Sequence, residues 1–495
     1  MNKRIISINA GKKAFAIETL NSPSVIGPVD YALHEHETKK THLLDPLDEN
    51  APFIFGSGPL AGSIIPGTHR LVFAGRSPLT KTFYLSTLGG AALPISKIQA
   101  DFVKVTGRAE KPTVLVIKNT GKMSVEFHEI EEKKLYEIYK KGNRGLYSLQ
   151  EYLMEKFKKS YEGMDLRILV VGPAALSTNM AGISSTLIRN GKLTPGAEGW
   201  AGRGGFGSAL AQGHGVVGII YGGSCAPNKF PEDDLSDIKA VNRIFVKNIG
   251  KPLAVAAMEA TEKYRYVEKY KSGGTFGSNY STSGAWTPFF NWSSTSLSTK
   301  ERQQLYDKFI LGHYLPTFNK DIIDTKAWLT CGEPCPGLCK KVRKNKTHDY
   351  ETYHAIGPNA GIVDLDHAGD VAEALEGSGF DSIGFGTIIS FVLECMCEGL
   401  LLPEDVGVKE KPNFDASTFS LKDSKAHSVI AAKLCLDVAY KRTAFAKNFI
   451  HGIRHACRVL SKKYPEREQK TGISFFDLAN YVPFGRDGVI EPCQY

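Results

Sequence analysis

The sequence predicts an α+β protein: a β-sheet-rich N-terminal domain over residues 1–223, then mainly helical domains over 224–402 and 403–495, the last incomplete. Two patterns predict this. Short β-branched runs bounded by Gly and Pro crowd the first 223 residues. Beyond them, charged and aromatic residues recur at helical spacing. A third observation places the chemistry. Trp328–Lys341 carries Cys331, Cys335 and Cys339, evenly spaced by four and separated by Pro334, Pro336 and Gly337. That spacing argues against one smooth helix and for a loop that can aim three sulfurs at one point.

Taken in order, strands are expected at Arg4–Ile8, Arg70–Ala74, Phe102–Thr106 and Thr113–Ile117. Two helices follow over Lys133–Lys159, parted by Gly142–Gly145, then strands at Leu166–Val171 and Val216–Ile220. Helical spacing marks Ile238–Tyr270 and Thr299–Tyr314, with Ser272–Gly284 read as a Gly/Ser/Thr loop between them. Helices are expected at Gly369–Leu375 and Thr387–Leu402, then a polar connector, then a long helical tract from Lys425 to Tyr464. The turn-rich run Phe475–Tyr495 reads as a chain cut within a domain.

Composition narrows the class. With 495 residues the chain can build two to four domains, and 42% hydrophobic and 23% charged residues suit a globular protein. No apolar run is long enough to cross a membrane, and the start reads as a strand with no signal peptide. Nine cysteines are too few for a disulfide scaffold, which points to a reducing cytoplasm. The net charge of +9 favours an acidic partner, but no basic, aromatic-interleaved tract points to nucleic acid.

Three thiolates from one loop suit a soft metal: an iron–sulfur cluster completed by a distant fourth ligand, or zinc, with ordinary buried thiols as the plain alternative. Cys395 and Cys397, two apart on an expected helix, point to different sides and read as buried thiols. Gly204–Gly207 lacks the full dinucleotide-binding spacing.

Several spaced segments together carry a resemblance: Gly58–Gly62, Pro66–Arg70, Arg76–Thr80, Leu88–Gly90, Gly107–Pro112, Ala201–Gly205, the cysteine loop and Gly379–Ile383. In this order the sequence resembles the tungsten- or molybdenum-pterin aldehyde:ferredoxin oxidoreductases. Val29–Tyr31, His69–Phe73, Gly172–Leu176, Lys263–Tyr266, Gly273–Gly277 and the C-x3-C spacing of Cys331–Cys335 are similar to one branch, the glyceraldehyde-3-phosphate:ferredoxin oxidoreductases.

The resemblance implies an N-terminal pterin-binding domain and a metal held by two pterins with no side chain on it. It implies oxidation of an aldehyde, glyceraldehyde 3-phosphate, to its acid, with electrons leaving through a [4Fe–4S] cluster on Cys331, Cys335 and Cys339 to ferredoxin. Arg70, Thr87, Gly89 and Gly90 would meet one pterin, with Mg2+ between the pterins near Thr87. Ala201, Gly202, Arg203, Gly204 and Gly205 would form the second phosphate loop. Glu376, Gly379 and Asp381 match the pterin motif D-x-x-G-L-D, with Glu and Phe replacing Asp and Leu. Glu351 matches the family's stretch near the metal and would orient water or shuttle a proton, with an ion-paired or solvated carboxylate as the plain alternative. His354, three residues on, would share its face on a helix and join it in acid–base work, with a structural histidine as the plain alternative. Lys263, Arg265 and Arg343 are candidates for the substrate phosphate.

Family members continue past Tyr495, where the fourth cysteine and second pterin motif lie. The resemblance therefore implies a fragment, a separate chain supplying that part, or a substitute ligand. The alternatives to the main reading are a general aldehyde oxidoreductase of the same family, an inactive or partner subunit, and a zinc-binding structural protein.

Overall fold

The computed structural model describes residues 2–226, 234–485 and 487–492. Twelve strands build two six-stranded mixed sheets in the first half. In the first sheet they are β1 (Asn2–Asn9), β2 (Ala14–Asn21), β3 (Phe53–Ser57), β4 (Leu71–Arg76), β5 (Phe83–Leu88) and β6 (Phe102–Thr106). In the second they are β7 (Thr113–Asn119), β8 (Met123–Glu129), β9 (Asp165–Val170), β10 (Ile183–Arg189), β11 (Lys192–Ala201) and β12 (Val216–Gly223). The sheet orders are β2-β1-β6-β3-β4-β5 and β11-β10-β9-β12-β7-β8. Only β1–β6 and β7–β12 pair in parallel among the described ladders.

Val114, Leu115, Ile117, Ile168, Leu169 and Ile220 are buried, as continuous apolar strand runs covered on both faces should be. Half of the strands escaped the sequence reading. Strand β11 shows why: Pro195 and Gly196 (φ +86°) interrupt it, features that argue against a strand when read locally. Ladder pairing around β10 shifts register between Thr186 and Ile188, so the irregularity is absorbed as a bulge.

Helices follow from residue 238. The stretch read as a Gly/Ser/Thr loop contains a helix, Gly274–Tyr280, whose Phe276 stacks on Phe318 at 4.2 Å. Tertiary burial overrides the poor local propensity there. The other expected helices run Leu365–Ser378 and Ser382–Cys397. The second is buried almost all round, as a core helix is. The long helical tract expected from Lys425 to Tyr464 is formed by two helices, Leu421–Ala439 and Ile453–Lys463. Near the end, Val482–Phe484 and Gly488–Ile490 form a small hairpin. No helix is long and apolar enough to cross a membrane among the described residues.

Candidate functional site

A small hairpin presents the cysteines. Trp328 and Leu329 pair with Lys341 and Lys340, and residues 330–339 form the loop between them. All three thiols are half-buried and free. Cys339 hydrogen-bonds Cys331, which pulls Cys331 down to about 6 and pushes Cys339 up. Cys335 accepts the Gly337 N–H at 3.3 Å, and burial raises its pKa.

The loop is pressed onto the first sheet where β5 ends. A Cβ on Gly89 would lie 3.1 Å from the Cys331 sulfur, and one on Gly90 would lie 2.1 Å from the Cys331 carbonyl oxygen. Gly90 also needs its positive φ of +68°. Two side chains that the sequence reading passed over fasten this contact. Glu333 accepts the His69 N–H with one oxygen and the Gly90 N–H with the other, each at 3.0 Å. Buried Arg167, on β9, donates from one nitrogen to the Gly90 carbonyl at 2.6 Å and the Cys331 carbonyl at 2.8 Å. Beside this junction the exposed Arg70 donates to the Thr87 hydroxyl at 2.9 Å. The antiparallel β4–β5 ladder places them, with Leu71 opposite Leu88 and Val72 opposite Thr87.

Ala201 ends β11, and the turn after it holds Gly202, Arg203, Gly204 and Gly205. Gly204 (φ +79°) lies against the Tyr84 ring, and Gly205 (φ +72°) against the Asn179 carbonyl. The Arg203 Nε is 3.3 Å from an Asp381 oxygen. Asp381 caps the Ser382–Cys397 helix, accepting the N–H groups of Ile383 and Gly384 at 3.1 and 3.2 Å. Glu376 lies in the last turn of the Leu365–Ser378 helix, and Gly379 ends that helix with φ +82°. Residues 376–381 are thus the junction of two helices. Glu491, another residue given no role from sequence, joins Arg203 and Asp381. It is 2% exposed with neither carboxyl oxygen hydrogen-bonded, and burial followed by the Asp381 charge pushes it up to about 7.

Between these parts lies a cavity of about 120 Å³ lined by Glu198, Gly202, Asp349, Glu351, Glu376 and Ser382, among others. It is crowded with carboxyl groups. Glu376 accepts from the Tyr147 hydroxyl at 3.0 Å, and burial pushes it up to about 7. Burial also raises Glu351 and Glu198. Burial works against the charge of Lys340, but Asp349, 3.5 Å away, and the Cys339 and Cys331 thiols outweigh it.

His354 is three residues from Glu351 on the Tyr350–Ala355 helix, yet the structure does not bring it to this cavity. Its ring stacks on Tyr350 at 5.2 Å, and burial lowers it to about 4. Arg343 is not available for a substrate phosphate either: Asp321 and Asp366 each hold it at 2.7 Å. Arg265 donates to the Met258 carbonyl. Cys395, Cys435 and Cys457 are buried, Cys397 donates to the Pro412 carbonyl, and Cys493 lies outside the described residues.

Comparison with known proteins gives this geometry its context. The aldehyde ferredoxin oxidoreductase N-terminal domain matches residues 5–223, and that family's domains 2 and 3 match residues 254–483. The chain is 42% identical over 463 residues to glyceraldehyde-3-phosphate:ferredoxin oxidoreductase of Pyrococcus furiosus, covering 92% of this chain and 70% of that protein. An uncharacterized protein of Methanocaldococcus jannaschii is 36% identical, over 99% of this chain and 75% of its own length. A tungsten-containing aldehyde ferredoxin oxidoreductase of Pyrococcus horikoshii is 22% identical, over 98% and 71%. Among solved structures, the active site complex BamBC of benzoyl coenzyme A reductase shares the fold, with a TM-score of 0.64 at 15% identity over 94% of this chain and 65% of that one. The two family matches and the 42% identical relative establish that this chain belongs to the aldehyde ferredoxin oxidoreductase family.

Proposed function

We propose that this chain oxidises an aldehyde, glyceraldehyde 3-phosphate, to 3-phosphoglycerate and passes the two electrons to ferredoxin. The observation that carries the reading is the contact of the Cys331 sulfur with the glycine turn at Gly89 and Gly90. It sets a thiol-bearing loop directly against the turn that the family resemblance assigns to a pterin. The 42% identical relative supports the substrate.

In this reading Cys331, Cys335 and Cys339 hold a [4Fe–4S] cluster. Arg70, Thr87, Gly89 and Gly90 hold one pterin, and Ala201 to Gly205 the phosphate of the other. Glu376, Gly379 and Asp381 meet its ring. The donor and acceptor chemistry fits: the oxygens of Glu491 that make no hydrogen bond are acceptors for ring N–H groups. The Thr87 hydroxyl accepts from Arg70 and keeps a lone pair for Mg2+ or its water. The division at residues 223 and 402 belongs to the same proposal.

A tungsten or molybdenum bis-pterin supplies the two-electron oxidation that no side chain can. The protein handles protons. Aldehyde and water give acid, two electrons and protons, and a carboxyl poised near 7 can take one of those protons at neutral pH. Glu376 is so poised, and Glu351 lines the same cavity. His354 is left outside this role by its place in the core.

Anaerobically purified protein should contain about four irons and one tungsten or molybdenum per chain, and should turn over glyceraldehyde 3-phosphate faster than unphosphorylated aldehydes. Zinc alone, or no aldehyde-dependent reduction of methyl viologen, would sink the reading. The ion pairs that immobilise Arg343 favour a second reading, a general aldehyde substrate, which equal turnover of both aldehyde classes would select.

A further inference from the structure

The helices Ile238–Ile249 and Leu253–Ala260 form an appendage that is barely packed. The first buries only Ala240 and Val241, the second only Leu253 and Ala257. The first is a well-made helix nonetheless. Asp237 caps it by accepting the Lys239 and Ala240 N–H groups, and Gly250 (φ +76°) ends it. Its outer surface carries Lys239, Arg243 and Lys247 at successive i, i+4 positions, with no acidic residue in the helix. All three are exposed, and none has an ion-pair partner among the described residues. Beside them, Ile238, Val246, Ile249, Val255 and Met258 are exposed by 42–55%. A basic stripe flanked by exposed aliphatic side chains is the make-up of a transient protein-binding surface.

This strip leads directly to the cysteines. The turn that follows, Thr261 to Tyr264, packs on the loop: a Cβ at Gly337 would lie 3.8 Å from both Thr261 and Tyr264. Lys341 donates to the carbonyls of Tyr264 at 3.0 Å and Leu338 at 2.7 Å, binding turn and loop together. Leu338, adjacent to Cys339, is the second anomaly. Its φ is +42°, in the left-handed region, and its side chain is 42% exposed. A branched aliphatic residue held there costs about 1 kcal/mol or more, and its side chain gains little packing in return. Strain of this kind concentrates at binding sites.

We propose that the strip from Ile238 to Tyr264, together with Leu338, is the docking face for a small acidic iron–sulfur electron carrier. The inference rests on the function proposed above and gives it an exit. The basic stripe steers an acidic partner, which accelerates encounter in a salt-dependent way. The aliphatic residues supply the dry centre of the contact. Leu338, exposed and adjacent to Cys339, sets the partner's surface beside the cysteine loop.

The test uses the anaerobically purified holoprotein and two electron acceptors: an acidic ferredoxin, and methyl viologen, which needs no docking face. Lys239→Glu, Arg243→Glu and Lys247→Glu are combined, and Met258→Asp is made separately. Iron content and circular dichroism check that each variant is intact. The expected result is a loss of about tenfold or more in kcat/KM for ferredoxin in the triple variant, with a flattened salt dependence. Viologen reduction stays at the wild-type rate. Met258→Asp lowers ferredoxin turnover in the same selective way. Unchanged ferredoxin turnover in both variants overturns the docking face and leaves the proposed function standing. Equal loss with both acceptors in intact protein also overturns it, because the strip would then act on the chemistry. A wild-type protein that reduces neither acceptor overturns the proposed function, and this inference with it.

Discussion

The cysteine loop and the carboxyl-lined cavity are neighbours built on opposite principles. In the loop, the polar groups that fix its position are paired: Glu333 meets two N–H groups and Arg167 two carbonyls. In the cavity, like charges are crowded together and burial pushes Glu198, Glu351 and Glu376 toward the protonated state. The first arrangement locates atoms; the second leaves protons undecided. The loop should therefore respond to substitution chiefly through its geometry. The cavity should respond chiefly through pH.

Gly90→Ala attacks the loop where it is least forgiving. The added methyl would lie 2.1 Å from the Cys331 carbonyl at a φ that disfavours any side chain. A loss of ~4 kcal/mol is expected from overpacking and backbone strain together. Urea unfolding measures it, and iron per chain should fall in parallel. A variant as stable as wild type would show that the close approach is not what seats the loop.

Glu376→Gln tests the cavity through pH. The folded carboxyl sits at about 7 against an ordinary 4.5, so folding tightens its hold on a proton. The stability it contributes is complete below pH 4.5 and is lost as pH rises to 7. That loss amounts to ~3 kcal/mol. The amide cannot ionise, so the variant should overtake wild type above pH 7 and lose this part of the slope. Parallel stability curves for the two proteins from pH 4.5 to 8 would contradict the assignment.

Glu333→Gln is a milder blow to the loop. Its carbonyl can accept one of the two N–H groups, but its amide then faces the other donor. About 2 kcal/mol should be lost. Denaturant midpoints decide it, and a midpoint equal to wild type would show that the second N–H contact is dispensable. Leu338→Gly should give the smallest change and the opposite sign. Relief of the left-handed backbone offsets the lost side chain, for a gain of up to ~1 kcal/mol. A clear destabilisation would mean that the leucine packs better than its exposure indicates.

The same contrast explains how much the sequence revealed. The cysteine loop was legible from its spacing alone, whereas the glycine turns and Asp381 were singled out by the family resemblance. The two helices parted by Gly142–Gly145 were legible too, as Glu132–Lys140 and Leu146–Phe157. Glu333 stood in plain view between two cysteines, but its work lies with backbone groups 264 and 243 residues away. Arg167 looked like the polar member of a strand; its partner at Cys331 is 164 residues on. No local pattern announces such a pairing. Glu198, on an irregular strand, and Glu491, near the end of the described chain, were missed for the same reason. Conversely, His354 was read as sharing the face of Glu351 from helical spacing alone, and the packing of Tyr350 against its ring draws it inward.

Glu333 and Arg167 also have a property that concerns heredity more than stability. Every group they bind is main-chain: the amides of His69 and Gly90, the carbonyls of Gly90 and Cys331. They recognise the path of the polypeptide and ignore what hangs from it. What the pair reads is the course of the main chain at positions 69, 90 and 331. The seating of the cysteine loop is thus insured by two residues, and much of its neighbourhood is left open to variation.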